Sequence, residues 1–268
     1  MNDKKDIKLD EYEKKILIYF VKTGIVVLSF LVVIGLGIKY IPKVVTVTNS
    51  ANSRKLPIYC VDEEENKISL SFDVAWGNED TNEILEILGK YDIKATFFLT
   101  GSWVDKFPED IKAIAAAGHD IGNHSESHKH MSNLSKEQSI EEIMKVHNKV
   151  KELTGIEMQL FRAPYSNYSN ELIDATKEVG YHCIEWNVDS QDWKDYGAES
   201  IINSVVNNKN LGNGSIILCH TDAKYIKDAL EPMILGLLDK GYKIIPVSEL
   251  IYTNDYYMDN EGRQYERK

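Results

Sequence analysis

The 268-residue chain is acidic, with 42 Asp and Glu against 31 Lys and Arg, a formal net charge of −11 and a pI of about 5.2. That balance, with no basic stripe, excludes a nucleic-acid partner, because phosphate backbones are held by clustered cations. With 43% hydrophobic residues the chain can bury one sizeable core but leaves little room for two full domains.

Residues 1–15 alternate in charge and read as a cytoplasmic tail. The chain turns apolar at Ile16, is interrupted only by Lys22, and carries no charge from 23 to 38. A helix needs roughly 20 residues to cross a bilayer. Residues 16–41 reach that length if Lys22 and Lys39 snorkel to opposite interfaces, where Tyr19 and Tyr40 also belong. The run is apolar all round and no small-x-small cleavage site follows it, so it reads as an uncleaved transmembrane signal anchor. Lys4, Lys5, Lys8, Lys14, Lys15 and Lys22 outweigh the basic residues beyond the span. The N-terminus is therefore expected in the cytoplasm and the bulk of the chain outside, as a single-pass protein of the cell membrane.

Residues 42–65 hold Pro42, a Val/Thr stretch, a polar patch and an acidic run, and read as a stalk. From 66 to 252, short apolar runs at 68–72, 95–99, 120–123, 160–162, 181–188, 215–219 and 242–246 alternate with helical patterns at 81–91, 108–117, 136–154, 169–179, 199–207 and 223–240. Gly118, Gly155, Gly180 and Gly241 close several of those helices. This alternation implies an α/β fold with a parallel sheet, and seven strands would close as an irregular (β/α)7-type barrel. Residues 253–268 read as a loose polar tail. Cys60, Cys183 and Cys219 have no metal-ligand spacing, and their odd number cannot form a complete set of intrachain pairs.

The residues at or just after the strand ends are Asp73, Thr100, His124, Arg162, Asp189 and His220, nearly all ionisable. Barrel enzymes build their sites on that face, so polar residues from distant parts of the chain converge there.

At these positions stand SFDVAWG (71–77), NHSESH (123–128), RAPY (162–165), DSQDW (189–193) and LCH (218–220). In this order they resemble the five motifs of the NodB-type polysaccharide deacetylases, carbohydrate esterase family 4, over roughly residues 66–252. The resemblance implies the NodB homology fold and hydrolytic N-deacetylation of a cell-wall polysaccharide. It makes Asp73 the general base, Arg162 the cation that orients it, and His220 the general acid, paired with Asp192 or alternatively Asp189. It makes His124 and His128 metal ligands, with zinc or cobalt as the expected ion, and gives the backbone N–H of Tyr165 to the oxyanion. Trp193, Trp76 and Leu218 would contact the sugar. His130 is a lesser candidate, and His119, His147 and His182 receive no role.

The family's first motif carries two adjacent aspartates, the second a metal ligand, whereas Asp73 is followed here by Val74. The FDVAWG form resembles a sporulation-associated subgroup. Val74 leaves three outcomes open: the two histidines bind a metal weakly with waters or Asp73 completing the shell, a nearby Asn78, Glu79 or Asp80 substitutes, or no metal binds; the first is the expectation, and a catalytically silent sugar-binding pseudo-enzyme is the alternative. The expected partners are the polysaccharide and, through the N-terminal helix, the membrane, with the protein acting as a monomer.

Overall fold

The computed structural model describes residues 10, 11, 14–16, 18–24 and 54–267. They fall into two units, Met1–Arg54 and Lys55–Lys268. In the first unit, described residues 11, 14–16 and 18–24 are helical. Most of the expected span 16–41 lies outside the described residues. Among those described, no helix is long and apolar enough to cross a membrane.

The second unit is built on β2 (Lys67–Val74), whose sequence KISLSFDV alternates strictly enough to split its side chains between two faces. Leu70, Phe72 and Val74 join the large core under the helices, while Ser71 and Asp73 point the other way. Full burial of each large apolar side chain stabilises by roughly 1.5–3 kcal/mol, so this alternation fixes the strand's register. Parallel neighbours follow on both sides: β3 (Thr96–Leu99), β4 (Asp120–Asn123), β5 (Leu160–Phe161) and β6 (His182–Cys183) on one, β8 (Ile216–His220) and β7 (Val188–Asp189) on the other. A further strand, β9 (Lys243–Ile244), pairs with the start of β2.

Helices α1 (Thr81–Lys90), α2 (Gly101–Lys106), α3 (Pro108–Ala116), α4 (Lys136–Thr154), α5 (Asn170–Glu178), α6 (Ala198–Val206), α7 (Ile226–Asp239) and α8 (Val247–Leu250) connect or follow the strands. The longest, α4, starts at a capping box formed by Ser135 and Gln138 and stops at Gly155, whose φ of 76° suits a residue without Cβ.

The expected closed barrel is an open one. β6 and β7 lie at opposite edges of the sheet, which curls as a half-barrel. The run 181–188, expected as one strand, is cut because Ile184 to Asn187 carry the chain across the gap. There the Glu185 amide donates to the Ile58 carbonyl at 2.8 Å and the Asn187 amide to Ile216 at 3.2 Å.

Stalk and tail also depart from expectation. Within residues 54–65, β1 (Cys60–Val61) pairs in parallel with β11 (Arg263–Glu266), which pairs antiparallel with β10 (Tyr256–Met258). Val61 and Gln264 are fully buried. The Gln264 side chain closes the sheet by donating to the Tyr252 carbonyl at 2.6 Å and accepting from its amide at 2.9 Å.

Candidate active site

Asp73 and His220 are register partners on adjacent parallel strands, so their side chains leave the sheet side by side. Both line a cavity of about 720 Å³ at the C-terminal ends of the strands, together with His124, His128 and Leu218. Trp76, Tyr165 and Trp193 also line it and are largely solvent-exposed, offering apolar ring faces at its mouth.

Arg162, just past β5, is fully buried. Its Nη1 donates to Asp73 Oδ1 at 2.7 Å, and its Nη2 to Ser71 Oγ at 2.8 Å and to the Glu185 carbonyl at 3.3 Å. The guanidinium lies over the Phe98 ring, 4.1 Å from its centroid. That ring fits because residue 122 is glycine: a Cβ there would meet Phe98 Cδ1 at 2.5 Å. Burial alone would raise the Asp73 carboxyl, but the surrounding charges and the Arg162 hydrogen bond hold it below its ordinary range. Asp73 is thus an ionised carboxylate fixed at one oxygen, with the other facing His124 Nε2 at 3.5 Å.

The buried Asp192 holds His220 at two points, accepting from the His220 amide at 2.7 Å and from ring Nδ1 at 2.8 Å. Burial pulls the imidazole pKa down, but the Asp192 hydrogen bond and charge outweigh it and raise it to about 9. Asp189 does not take this place. Its Oδ1 accepts from the Gln191 amide at 2.7 Å and so shapes the turn that presents Asp192 and Trp193.

His124 and His128 lie with ring centroids 5.0 Å apart. The buried His124 hydrogen-bonds the Arg162 carbonyl through Nδ1 at 2.9 Å, which makes Nδ1 the protonated nitrogen and leaves a lone pair on Nε2. Burial lowers the pKa of both rings, that of His128 to about 4. Tyr165 enters by its side chain. Its φ of 60° brings the phenol within 3.0 Å of His128 Nδ1 and stacks the ring on His130, 4.5 Å centroid to centroid.

A family model described as polysaccharide deacetylase matches residues 61–184. The chain is 36% identical over 196 residues to the Bacillus subtilis protein YlxY, covering 73% of this chain and 60% of that one. It is 34% identical to a Bacillus cereus peptidoglycan-N-acetylglucosamine deacetylase, covering 71% of this chain and 91% of that one. The chain belongs to the polysaccharide deacetylase family. Among solved structures, one similar to this polysaccharide deacetylase is a Bacillus anthracis CE4-family pseudoenzyme, with TM-score 0.70 and 29% identity over 80% of this chain and 73% of that one. A mutant of that pseudoenzyme with restored enzymatic activity is 33% identical, with TM-score 0.70, covering 74% of this chain and 72% of that one.

Does the donor set of this cavity fit a divalent ion? Val74 is fully buried and faces the helical core with Phe72. Asp73 is already engaged by Arg162. Among the described residues no three His, Cys, Asp or Glu side chains converge on one point. Two imidazoles beside an occupied carboxylate fall short of the three protein ligands of a catalytic zinc site.

Several residues around the deacetylase site escaped the sequence reading. Ser71 could have been found, because it stands two residues before Asp73 and shares its face. Phe98 and Trp186, the latter 5.5 Å from the guanidinium, lie inside apolar runs that read simply as core. Glu185 was hidden in the run expected as a strand. Its carboxyl is fully buried, and desolvation raises its pKa to about 8 despite the nearby Arg162 charge and the Ser166 hydroxyl.

The folded pKa of Glu185 lies above the unfolded value, so the stability it preserves is full below about 4.5 and lost as pH rises through about 8. Glu185→Gln is expected to stabilise the protein by on the order of 3 kcal/mol at pH 7 and to flatten this alkaline loss. Urea unfolding at pH 5 and 8.5 measures it; identical pH dependence in both proteins would refute it.

Proposed function

We propose that this chain removes acetyl groups from N-acetylglucosamine or N-acetylmuramic acid units of cell-wall peptidoglycan by general acid/base hydrolysis. The observation that carries the reading is a carboxylate and an imidazole, adjacent in register, each held by a buried ionisable partner, Arg162 for Asp73 and Asp192 for His220. Asp73 takes a proton from water, whose oxygen bonds to the amide carbonyl carbon. The backbone N–H of Tyr165 is the donor this reading assigns to the tetrahedral oxyanion that forms. His220 donates its Nε2 proton to the amine nitrogen as the C–N bond breaks, releasing acetate and the amino sugar. Trp76 and Trp193 provide the faces on which sugar rings stack.

The reading includes an anchor at 16–41 that keeps the N-terminus in the cytoplasm and a monomeric catalytic unit outside, beside its polymer. Its support is the charge asymmetry around the apolar run. A sugar-binding pseudo-enzyme is the second reading, favoured by Val74 and by the pseudoenzyme relative.

Acetate release from purified peptidoglycan by the metal-stripped full chain, alone and with added zinc or cobalt, tests the proposal. Release is expected, with at most weak zinc binding by calorimetry, since among the described residues no third side chain converges with His124 and His128 on one point. Tight one-to-one zinc binding would contradict the two-histidine reading. A folded protein that releases no acetate under either condition overturns the peptidoglycan reading in favour of the pseudo-enzyme or of a different acylated substrate.

A further inference from the structure

The loop that presents His128 has unusual backbone geometry. Ser125 and His128 have φ values of 65° and 53°, in the left-handed region that residues with a Cβ seldom adopt. Within the loop, the His128 amide is held only by the Ser125 hydroxyl, at 3.1 Å.

A carboxylate on α4 meets this loop from behind. Glu142 sits on the buried face of the helix with Ser139, Ile143 and Val146, a costly place for a charge unless it is fully bonded. It is bonded entirely by the residues flanking His128. The Ser127 amide donates to Oε2 at 2.9 Å, the Ser127 hydroxyl reaches both oxygens at 2.9 and 2.8 Å, and Lys129 Nζ approaches Oε1 at 3.0 Å. Glu142 does not line the cavity.

We propose that Glu142 is a positioning residue: by gripping Ser127 and Lys129 it holds the strained loop so that His128 faces His124 and Tyr165 across the cavity. The inference rests on the deacetylase reading of that cavity for its kinetic arm, but its structural arm does not. Residues on a helix behind the loop thereby set the site's shape without touching substrate.

The test uses the full chain with three substitutions: Glu142→Ala, Glu142→Gln and, as a control, Val150→Ala. Val150 is fully buried on the same helix two turns away and touches no part of the loop's polar clamp. Hydrogen–deuterium exchange over 124–130, kcat and KM for acetate release, and thermal unfolding are measured on each. Glu142→Ala is expected to speed amide exchange at 127 and 128 at least tenfold and to lower kcat by about 10- to 100-fold. Glu142→Gln, which keeps one acceptor for the Ser127 amide, should fall between it and the wild type. Val150→Ala should lower the melting temperature while leaving loop exchange and kcat near wild type.

Unchanged loop exchange in Glu142→Ala overturns the proposal. So does an equal loss of kcat in Val150→Ala at matched stability, which would make Glu142 a merely structural residue. If the wild-type chain releases no acetate, the exchange result alone decides on Glu142, and the failure belongs to the deacetylase reading.

Discussion

Asp73→Asn is expected to lower acetate release by about a thousandfold, within the range a positioned general base supplies. The amide is the size of the carboxylate and can still accept from Arg162, so the cavity should keep its shape. What disappears is the site for the proton that the attacking water must lose. Stability should fall as well, because Arg162 is fully buried and Asp73 is its only ion-pair partner among the described residues. Breaking one side of a buried pair costs roughly 3–5 kcal/mol. Part of that loss should be recovered, since Glu185 lies near the same guanidinium and can ionise in its place. The two effects separate experimentally: kcat is measured below the melting temperature, and circular dichroism confirms the folded fraction. Residual activity within tenfold of the wild type would remove Asp73 from the role of base.

Arg162 itself shows why sequence order alone could place this site. In a parallel sheet every strand points the same way, so Asp73, His124, Arg162 and His220 could be brought to one rim by counting strand ends. The β2 alternation also shows that Asp73 and Val74 leave opposite faces of the sheet. What could not be read is anything that depends on how the chain departs from regular structure. Ile184 to Asn187 have the composition of a strand, and only the gap between β6 and β7 explains why the ladder breaks there. β10 and β11 lack an apolar alternation, because their sheet buries Gln264 through hydrogen bonds to Tyr252 rather than through a hydrophobic face. Tyr165 read as a backbone donor, and its phenol reaches His128 only because the residue adopts a positive φ that no tyrosine signals in sequence. Nothing in the sequence singles out Glu142, since its loop partners lie 13 to 15 residues away.

The choice between Asp192 and Asp189 has a direct consequence for pH dependence. His220 acts as an acid only while protonated, so activity should persist up to about pH 9 and fall above it. On the acid side Asp73 must be ionised, and its lowered pKa keeps that limb below the ordinary carboxylate range. Asp192→Asn removes the charge and one of the two acceptor oxygens that hold His220, leaving burial opposed only by the charges of Asp73 and Asp222. The His220 pKa should then drop toward the ordinary imidazole value near 6.5, and the alkaline limb of kcat/KM should move with it. At pH 8 the rate should fall about 10- to 100-fold, while at pH 5.5 most of it survives. Stability has the same sign: the contribution of this pair is full below about pH 6.5 and lost as pH rises through about 9, so the variant's deficit is largest at pH 6 and shrinks by pH 10. Asp189→Asn should leave the alkaline limb in place, because that side chain shapes the turn and does not touch the ring. An Asp192→Asn enzyme whose alkaline limb stays near pH 9 would show that another group supplies the proton to the leaving amine.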